Sequence, residues 1–271
     1  MKAGVIGWPI SHSKSPLIHG YWLEKFGLSA TYEAIAIAPE NLKADIERLV
    51  KAGYCGFNVT VPHKQAIMPL LDYIRADAER IGAVNTVVIN PDGTLEGRNT
   101  DAFGFIENLR EGAPKHDFKK APAVVLGAGG AARAVVYALA EAGAPQIRIA
   151  NRTLVRAREL ASAFKNCVAV DWEALPEAME GAGLLVNTTS LGMKGQPPLE
   201  VTLNTLPLSA LVHDIVYAPL QTELLQSAKQ RGHTTVTGIG MLLHQARPAF
   251  HAWFGVMPDV DEALRAKVLA A

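Results

Sequence analysis

Apolar positions along the first hundred residues switch between two spacings. AGVIG (3–7) is a short apolar run and TYEAIAI (31–37) reads as a strand. In FNVTVPHK (57–64), Phe57, Val59 and Val61 alternate with Asn58 and Thr60, the period-two pattern of a buried strand. Pro62 cannot donate to a sheet ladder and is predicted to stop that strand, GFNVTV (56–61). SPLIHGYWLEKFG (15–27) and PENLKADIERLVKAG (39–53) carry apolar residues at helical spacing, with proline near the start and glycine at the end. AVNTVVIN (83–90) and TLEGRNT (94–100) are further strand candidates around the turn residues Pro91, Asp92 and Gly93. Strands alternating with helices predict an α/β layer structure.

REGAPKHDFKKAP (110–122) breaks the pattern; polar and lysine-rich, it is predicted to connect two domains. AVVLGAGGAARAVVYALAEAGA (123–144) then runs from an apolar strand through glycines into an alanine-rich helix. QIRIANR (146–152) is the next strand and LVRARELASAF (154–164) the next helix. CVAV (167–170), GLLVNTTS (183–190), ALVHDIVY (210–217) and HTTVTG (233–238) complete a second series of strands, and the tail from Gly240 to Ala271 is helix-rich.

The length, 271 residues, suits two domains of ~100–200 residues each. With 49% hydrophobic and 19% charged residues the composition is that of a globular protein. Lys+Arg and Asp+Glu are both 26, so the basic excess of a nucleic-acid binder is missing. Cys55 and Cys167 stand far apart without CxxC or Cys/His ligand spacing, which predicts free buried thiols, no metal site and a reducing cytoplasm. The apolar part of MKAGVIGWPI is too short for a signal peptide. No stretch of ~18 residues lacks a charge or strong polar break, so no membrane span is expected.

GAGGAA (127–132) matches G-x-G-x-x-G/A after a strand and at the start of a helix, the context that motif requires. Gly127 permits the tight turn, Gly129 lets the backbone approach a pyrophosphate, and Ala132 lets helix and strand pack closely. The helix N-terminus then offers N–H groups and a positive dipole end. A packing glycine turn is the plain alternative. Where an NAD site carries a carboxylate about 20 residues on, this chain has Asn151 in NRTLVR (151–156). Arg152 and Arg156, with the hydroxyl of Thr153, suit a 2′-phosphate, which a carboxylate would repel. A solvated helix start is the alternative there.

SHSKSP (11–16) places three serines between the first strand and its helix, more than capping alone explains. Asn85 and Thr86 stand in an apolar strand, and Asn99, Thr100 and Asp101 at the end of another. Polar residues there cost stability unless paired, and convergence on one pocket would account for all of them. Lys64 follows the strand that carries Thr60; alone it reads equally as a solvated loop lysine.

SHSKSP, FNVTVPHK, GAVNT, GxNTD, GAGGAA, NRTxxR and TGIGMLLHQ occur in this order from residue 11 to residue 245. With these seven motifs in register, the chain resembles the shikimate dehydrogenase family, enzymes that reduce 3-dehydroshikimate with NADPH in chorismate and aromatic amino-acid biosynthesis. The resemblance implies Lys64 and Asp101 as the catalytic pair. Implied for substrate are Ser13, Ser15, Thr60, Asn85, Tyr217 and Gln245, besides the pair itself. Implied for NADP are Gly127, Ala128, Gly129, Gly130, Ala131, Asn151, Arg152, Thr153, Arg156, Ile215 and Gly238. His63 is a rival acid beside Lys64. The fold implied is two α/β domains with a cleft between: a discontinuous substrate domain (1–101 plus 240–271) and a Rossmann-type doubly wound parallel sheet (102–239). A small-molecule substrate is expected, with no nucleic acid or membrane partner, in a cytoplasmic monomer or homodimer. Rival functions are a quinate/shikimate dehydrogenase, whose NAD use NRTLVR opposes, and a non-catalytic dinucleotide sensor, which the presence of Lys64 and Asp101 opposes.

Overall fold

The structure is a computed structural model describing residues 1–271, and it divides into two compact units. One comprises Met1–Thr100 with Leu243–Ala271, the other Asp101–Leu242. The first unit runs β1 (Lys2–Gly7), α1 (Ser15–Lys25), β2 (Thr31–Ala36), α2 (Leu42–Lys51), β3 (Tyr54–Val59), α3 (His63–Ala66), β4 (Tyr73–Ile74), α4 (Ala76–Ile81), β5 (Thr86–Ile89) and β6 (Leu95–Arg98). Its strands form one mixed sheet in the order β2-β1-β3-β5-β6-β4. β1 pairs in parallel with β2 and β3, while β5 runs antiparallel to both β3 and β6. Val5 is level with Asn58, Asn58 with Thr86, and Thr86 with Arg98. The carboxyl ends of β1, β3 and β6 and the amino end of β5 therefore share one end of the sheet.

The second unit runs α5 (Asp101–Gly112), β7 (Ala123–Leu126), α6 (Gly130–Glu141), β8 (Ile147–Ala150), α7 (Leu154–Ser162), β9 (Cys167–Val170), α8 (Leu175–Met179), β10 (Leu184–Asn187), β11 (Leu211–Asp214), α9 (Glu223–Gln230) and β12 (Thr234–Val236). Its six strands are all parallel, in the order β12-β11-β10-β7-β8-β9. Winding proceeds one way from β7 to β9 and the other way from β10 to β12, so the switch point lies between β7 and β10. Continuous apolar strands such as AVVL, every residue of which is buried, fit a parallel sheet covered on both faces. α10 (Ile239–Phe254) begins in the second unit and ends in the first, and α11 (Glu262–Ala270) follows it.

In the first unit Ile6, Phe57, Val59, Val84 and Val87 pack in one core with Ile46 and Leu49 of α2. Each such buried side chain contributes about 1.5–3 kcal/mol of transfer free energy. Trp253 of α10 crosses β3 at Gly56 and donates from Nε1 to the Val87 carbonyl at 3.0 Å. A side chain at position 56 would overlap that indole, so glycine sets this approach. α11 is tied to α1 through Asp261, which accepts from Tyr21 and pairs with Lys25 at 2.6 Å. His19 lies between Tyr32 and Trp22, stacked on Tyr32 with ring centroids 4.0 Å apart. It is fully buried, and neither ring nitrogen has a hydrogen-bond partner.

Five expectations change. β3 ends at Val59, before Pro62, because regular pairing stops there: Val59 N bonds Asn85 O and Thr60 N bonds Ile6 O, and the next bond to the β1 side, Trp8 N to Val61 O, falls out of register. The chain then turns into α3, so Lys64 sits in a short helix and not in a loop. Asn85 precedes β5 instead of lying in it. Segment 110–122 lies inside the second unit, its first residues forming the last turn of α5. Both cysteines are half-buried.

Burial pulls the His19 pKa from 6.5 down to about 3. The contribution of the neutral ring is complete above pH 6.5 and is lost between 6.5 and about 3, as acid charges the unfolded chain first. Lowering the pH from 6.5 to 5 should remove about 2 kcal/mol through this group. Thermal melts across that range check it: His19→Phe should flatten the acid slope, and an unchanged slope would assign the loss to other groups.

Candidate active site

The shared end of the first sheet collects polar side chains from five segments. Asn85, 2% exposed, accepts at Oδ1 from Thr100 N (2.8 Å) and Thr86 Oγ1 (2.9 Å). Its Nδ2 donates to Thr100 Oγ1 (3.0 Å) and to Gln245 Oε1 of α10 (3.4 Å). Asn58 donates to Thr86 Oγ1 (3.0 Å) and the Asn85 carbonyl (3.2 Å), and accepts from Tyr32 (2.6 Å). These bonds offset the desolvation of six polar side chains. Thr60 sits against Gly7, where a Cβ would come within 2.5 Å of its methyl group. On the loop after β1, Ser13 Oγ accepts from Ser15 N at 3.3 Å, so part of its role is to cap α1. Ser15 is buried and Ser11 exposed.

α3 is anchored by the Lys64 carbonyl, which accepts from Val84 N at 2.8 Å. Lys64 is half-buried, whereas His63 is 1% exposed and donates from Nε2 to the Ile37 carbonyl at 2.7 Å. His63 thus bonds into the core, which leaves it poorly suited as the acid. Asp101, buried, opens α5 directly after Thr100.

In the second unit the candidate cofactor residues lie at the carboxyl ends of parallel strands. Gly127 after β7 has φ +107°, and a Cβ there would sit 2.7 Å from Thr188 Oγ1. That hydroxyl donates to the Leu126 carbonyl at 2.6 Å, bridging β7 and β10 at the switch point. Gly129 caps α6 without a side-chain bond, and the space beside it is open. First-turn N–H groups are left for an anion, which fits a pyrophosphate. Ala132 is fully buried; Ala128, Gly130 and Ala131 are half-buried. After β8, Asn151 Nδ2 donates to the Thr153 carbonyl at 2.9 Å, and Arg152, Thr153 and Arg156 are exposed. No carboxylate stands in this stretch, which fits a 2′-phosphate.

After β11, Asp214 accepts from Asn187 Nδ2 (3.0 Å), Val216 N (3.0 Å) and Thr222 Oγ1 (2.7 Å). Burial raises its pKa against these donors. They pin the loop that carries Ile215 and Tyr217, whose phenol burial also shifts upward. Gly238 closes on the Ile215 carbonyl so tightly that a Cβ would overlap it. Ser13, Ser15, Thr60, Lys64, Asn85 and Gln245 belong to the first unit, Asp101 and Tyr217 to the second. Sequence reasoning assigned no role to Tyr32, Asn58, Asn187, Asp214 or Thr222, and gave Thr86 and Thr100 only a place in a shared pocket. Single polar residues closing the apolar strands LLVN and LVHD were the available signal for two of them. No helix is long and apolar enough to cross a membrane, and no group of three or more His, Cys, Asp or Glu is placed to hold a metal.

Sheet order, switch point and glycine turn define a two-unit α/β protein whose second unit is a Rossmann-type dinucleotide fold. Family models match along the chain: the shikimate dehydrogenase substrate binding domain at residues 5–87, shikimate/quinate 5-dehydrogenase at 111–193, and the shikimate 5'-dehydrogenase C-terminal domain at 238–266. Shikimate dehydrogenase (NADP(+)) of Paramagnetospirillum magneticum is 56% identical over 269 residues, covering 99% of this chain and 98% of that protein. The Thermus thermophilus shikimate 5-dehydrogenase solved with NADP(H) and shikimate is 40% identical, with a TM-score of 0.89 over 98% of this chain and 99% of that one. A quinate dehydrogenase from Corynebacterium glutamicum solved with NAD is 34% identical, with a TM-score of 0.92 over 100% and 99%. The chain belongs to the shikimate dehydrogenase family.

Gly127→Ala and Gly238→Ala should each destabilise the second unit by about 1–3 kcal/mol, the first through its left-handed φ and the second through overlap with Ile215. Gly129→Ala, beside open space, should cost less, about 0.5–1 kcal/mol, through its place as the N-cap of α6. Denaturant titration of the three variants checks the order; equal losses would contradict it.

Proposed function

We propose that this chain catalyses the reversible, NADPH-dependent reduction of 3-dehydroshikimate to shikimate, with Lys64 and Asp101 as its catalytic pair. The observation that carries this reading is what each unit holds by itself. The first unit has the buried amide and hydroxyl cluster around Asn85, and the second has a phosphate-ready glycine turn followed by a strand end without a carboxylate. NADPH, when bound, supplies the hydride for the C3 carbonyl carbon. The Lys64 ammonium stabilises the charge that grows on the carbonyl oxygen and donates its proton there. The Asp101 carboxylate helps aim the Lys64 ammonium and accepts from a neighbouring substrate hydroxyl. Ser13 and Ser15 hold the substrate carboxylate through their hydroxyls. Thr60, Asn85, Tyr217 and Gln245 bond the rest of the substrate. Gly127 to Ala131 hold the pyrophosphate. Asn151, Arg152, Thr153 and Arg156 hold the 2′-phosphate, and Ile215 and Gly238 complete the cofactor side.

Two half-buried thiols suit a reducing compartment, and we assign the chain to cytoplasmic chorismate biosynthesis as a monomer or homodimer. A second reading, quinate oxidation with NAD, draws on the 34% identity to the NAD-bound quinate dehydrogenase. The arginines of NRTLVR favour the first.

NADP reduction by shikimate, followed spectrophotometrically beside quinate and NAD, tests the assignment. Lys64→Ala should lower kcat ~10²–10⁴-fold while nucleotide binding persists. Combined with Asp101→Asn, it should lose less than the product of the single losses, because groups acting as a unit are not additive. Near-normal turnover in the lysine variant would remove Lys64 from the mechanism.

Wild-type protein should prefer NADP to NAD by roughly two decades, given charge-assisted bonds of ~1.5–3 kcal/mol each and partial screening by solvent. Arg152→Ala should raise KM for NADP far more than for NAD. Equal use of both coenzymes by the wild type would favour the quinate-type reading.

A further inference from the structure

We propose that the Tyr32 hydroxyl is a positioning group for the substrate site, holding the Asn58 carboxamide in place and, through it, the Thr86 and Asn85 side chains. The inference rests on the functional reading above. Backbone groups set which way the two amides face, since the Asn85 carbonyl can only accept, from Asn58 Nδ2, and the Thr100 N–H can only donate, to Asn85 Oδ1. Tyr32 donates to Asn58 Oδ1 at 2.6 Å, while Nδ2 meets the Asn85 carbonyl and Thr86 Oγ1. Thr86 Oγ1, having accepted from Asn58, donates its own proton to Asn85 Oδ1 at 2.9 Å. Asn85 therefore presents Nδ2 to Thr100 and to Gln245 Oε1. Gln245 receives through oxygen, which makes the opposite end of its carboxamide the donor end. The phenol proton thus supplies the donor that completes the far end of a row of four side chains.

Tyr32 is built for this. Its ring stacks on His19, 6° from parallel, and lies 6.0 Å from the Trp253 ring, so its hydroxyl has little freedom. Burial raises its pKa well above the usual phenol value, with Ser15 opposing, so the hydroxyl keeps its proton throughout the working range. The Ser15 interaction also places it beside the serine loop. Replacing the phenol by phenyl leaves Asn58 Oδ1 without its donor at 5% exposure, and the loosened amide would hold Thr86 and Asn85 less firmly.

The test uses the full chain with shikimate and NADP. Tyr32→Phe should raise KM for shikimate about five- to tenfold, change kcat less than KM, and leave KM for NADP within about twofold. Ile46→Val, a core change in α2, serves as the stability control and should leave both KM values unmoved. Asn58→Asp keeps the acceptor for Tyr32 but loses the donor to Thr86. It should raise KM for shikimate as well, and adding Tyr32→Phe to it should contribute less than about a further twofold. Unchanged shikimate KM in an active Tyr32→Phe variant, or fully multiplicative effects in the double variant, overturns the role of Tyr32. A wild type without shikimate-dependent NADP reduction overturns the functional reading itself, and the substrate named here with it.

Discussion

The Asn85 carboxamide is bonded at both ends inside the first unit, and the surrounding site depends on it. Its oxygen holds the Thr100 amide and the Thr86 hydroxyl, and its nitrogen reaches Thr100 and Gln245. One side chain thereby joins the start of β5, the end of β6 and the middle of α10. Those segments are far apart in the chain but meet at one end of the sheet, because β5 is antiparallel between β3 and β6. A polar cluster this deeply buried is stable only when each member is satisfied, so every bond constrains the next.

The second unit reaches comparable precision by close backbone approach. Gly127 and Gly238 stand where a Cβ would collide with Thr188 and with the Ile215 carbonyl. Both collisions lie at the carboxyl ends of parallel strands, where doubly wound sheets bind ligands. Asp214 does for the following loop what Asn85 does in the first unit. A buried carboxylate with three donors holds the turn that bears Ile215 and Tyr217, and Thr222 also caps α9. Small residues and buried polar anchors thus divide the work: glycines allow close backbone approach, and amides and carboxylates hold loops in place.

Aromatic packing supports the polar side of the first unit. Tyr32 carries a hydroxyl into the Asn58 network while its ring is held against His19, which lies within packing distance of Phe250 and Trp253 of α10. The same helix that brings Gln245 to Asn85 also brings Trp253 across Gly56 to Val87. Anchoring α10 at two levels fixes both its depth and its rotation on the sheet.

Much of this was legible in the residues alone. Alternation of apolar runs and amphipathic stretches set out the α/β layers, since period two and period 3.6 follow from local backbone geometry. GAGGAA stated its turn because a left-handed φ demands glycine, and the missing carboxylate at Asn151 spoke to coenzyme choice through charge alone. The end of β3 was not legible, because a strand ends where its regular pairing stops, and its partners are 28 to 53 residues away. Nor was the difference between His63 and Lys64, neighbours of which one turns to the Ile37 carbonyl inside the core. Tyr32 looked like an ordinary strand residue and Asp214 like a polar interruption. Composition and spacing determined which chemistry this chain carries and in which layers. The tertiary structure decided which polar groups meet, because hydrogen-bond partners across a sheet are set by strand order and register, which no local stretch of sequence contains.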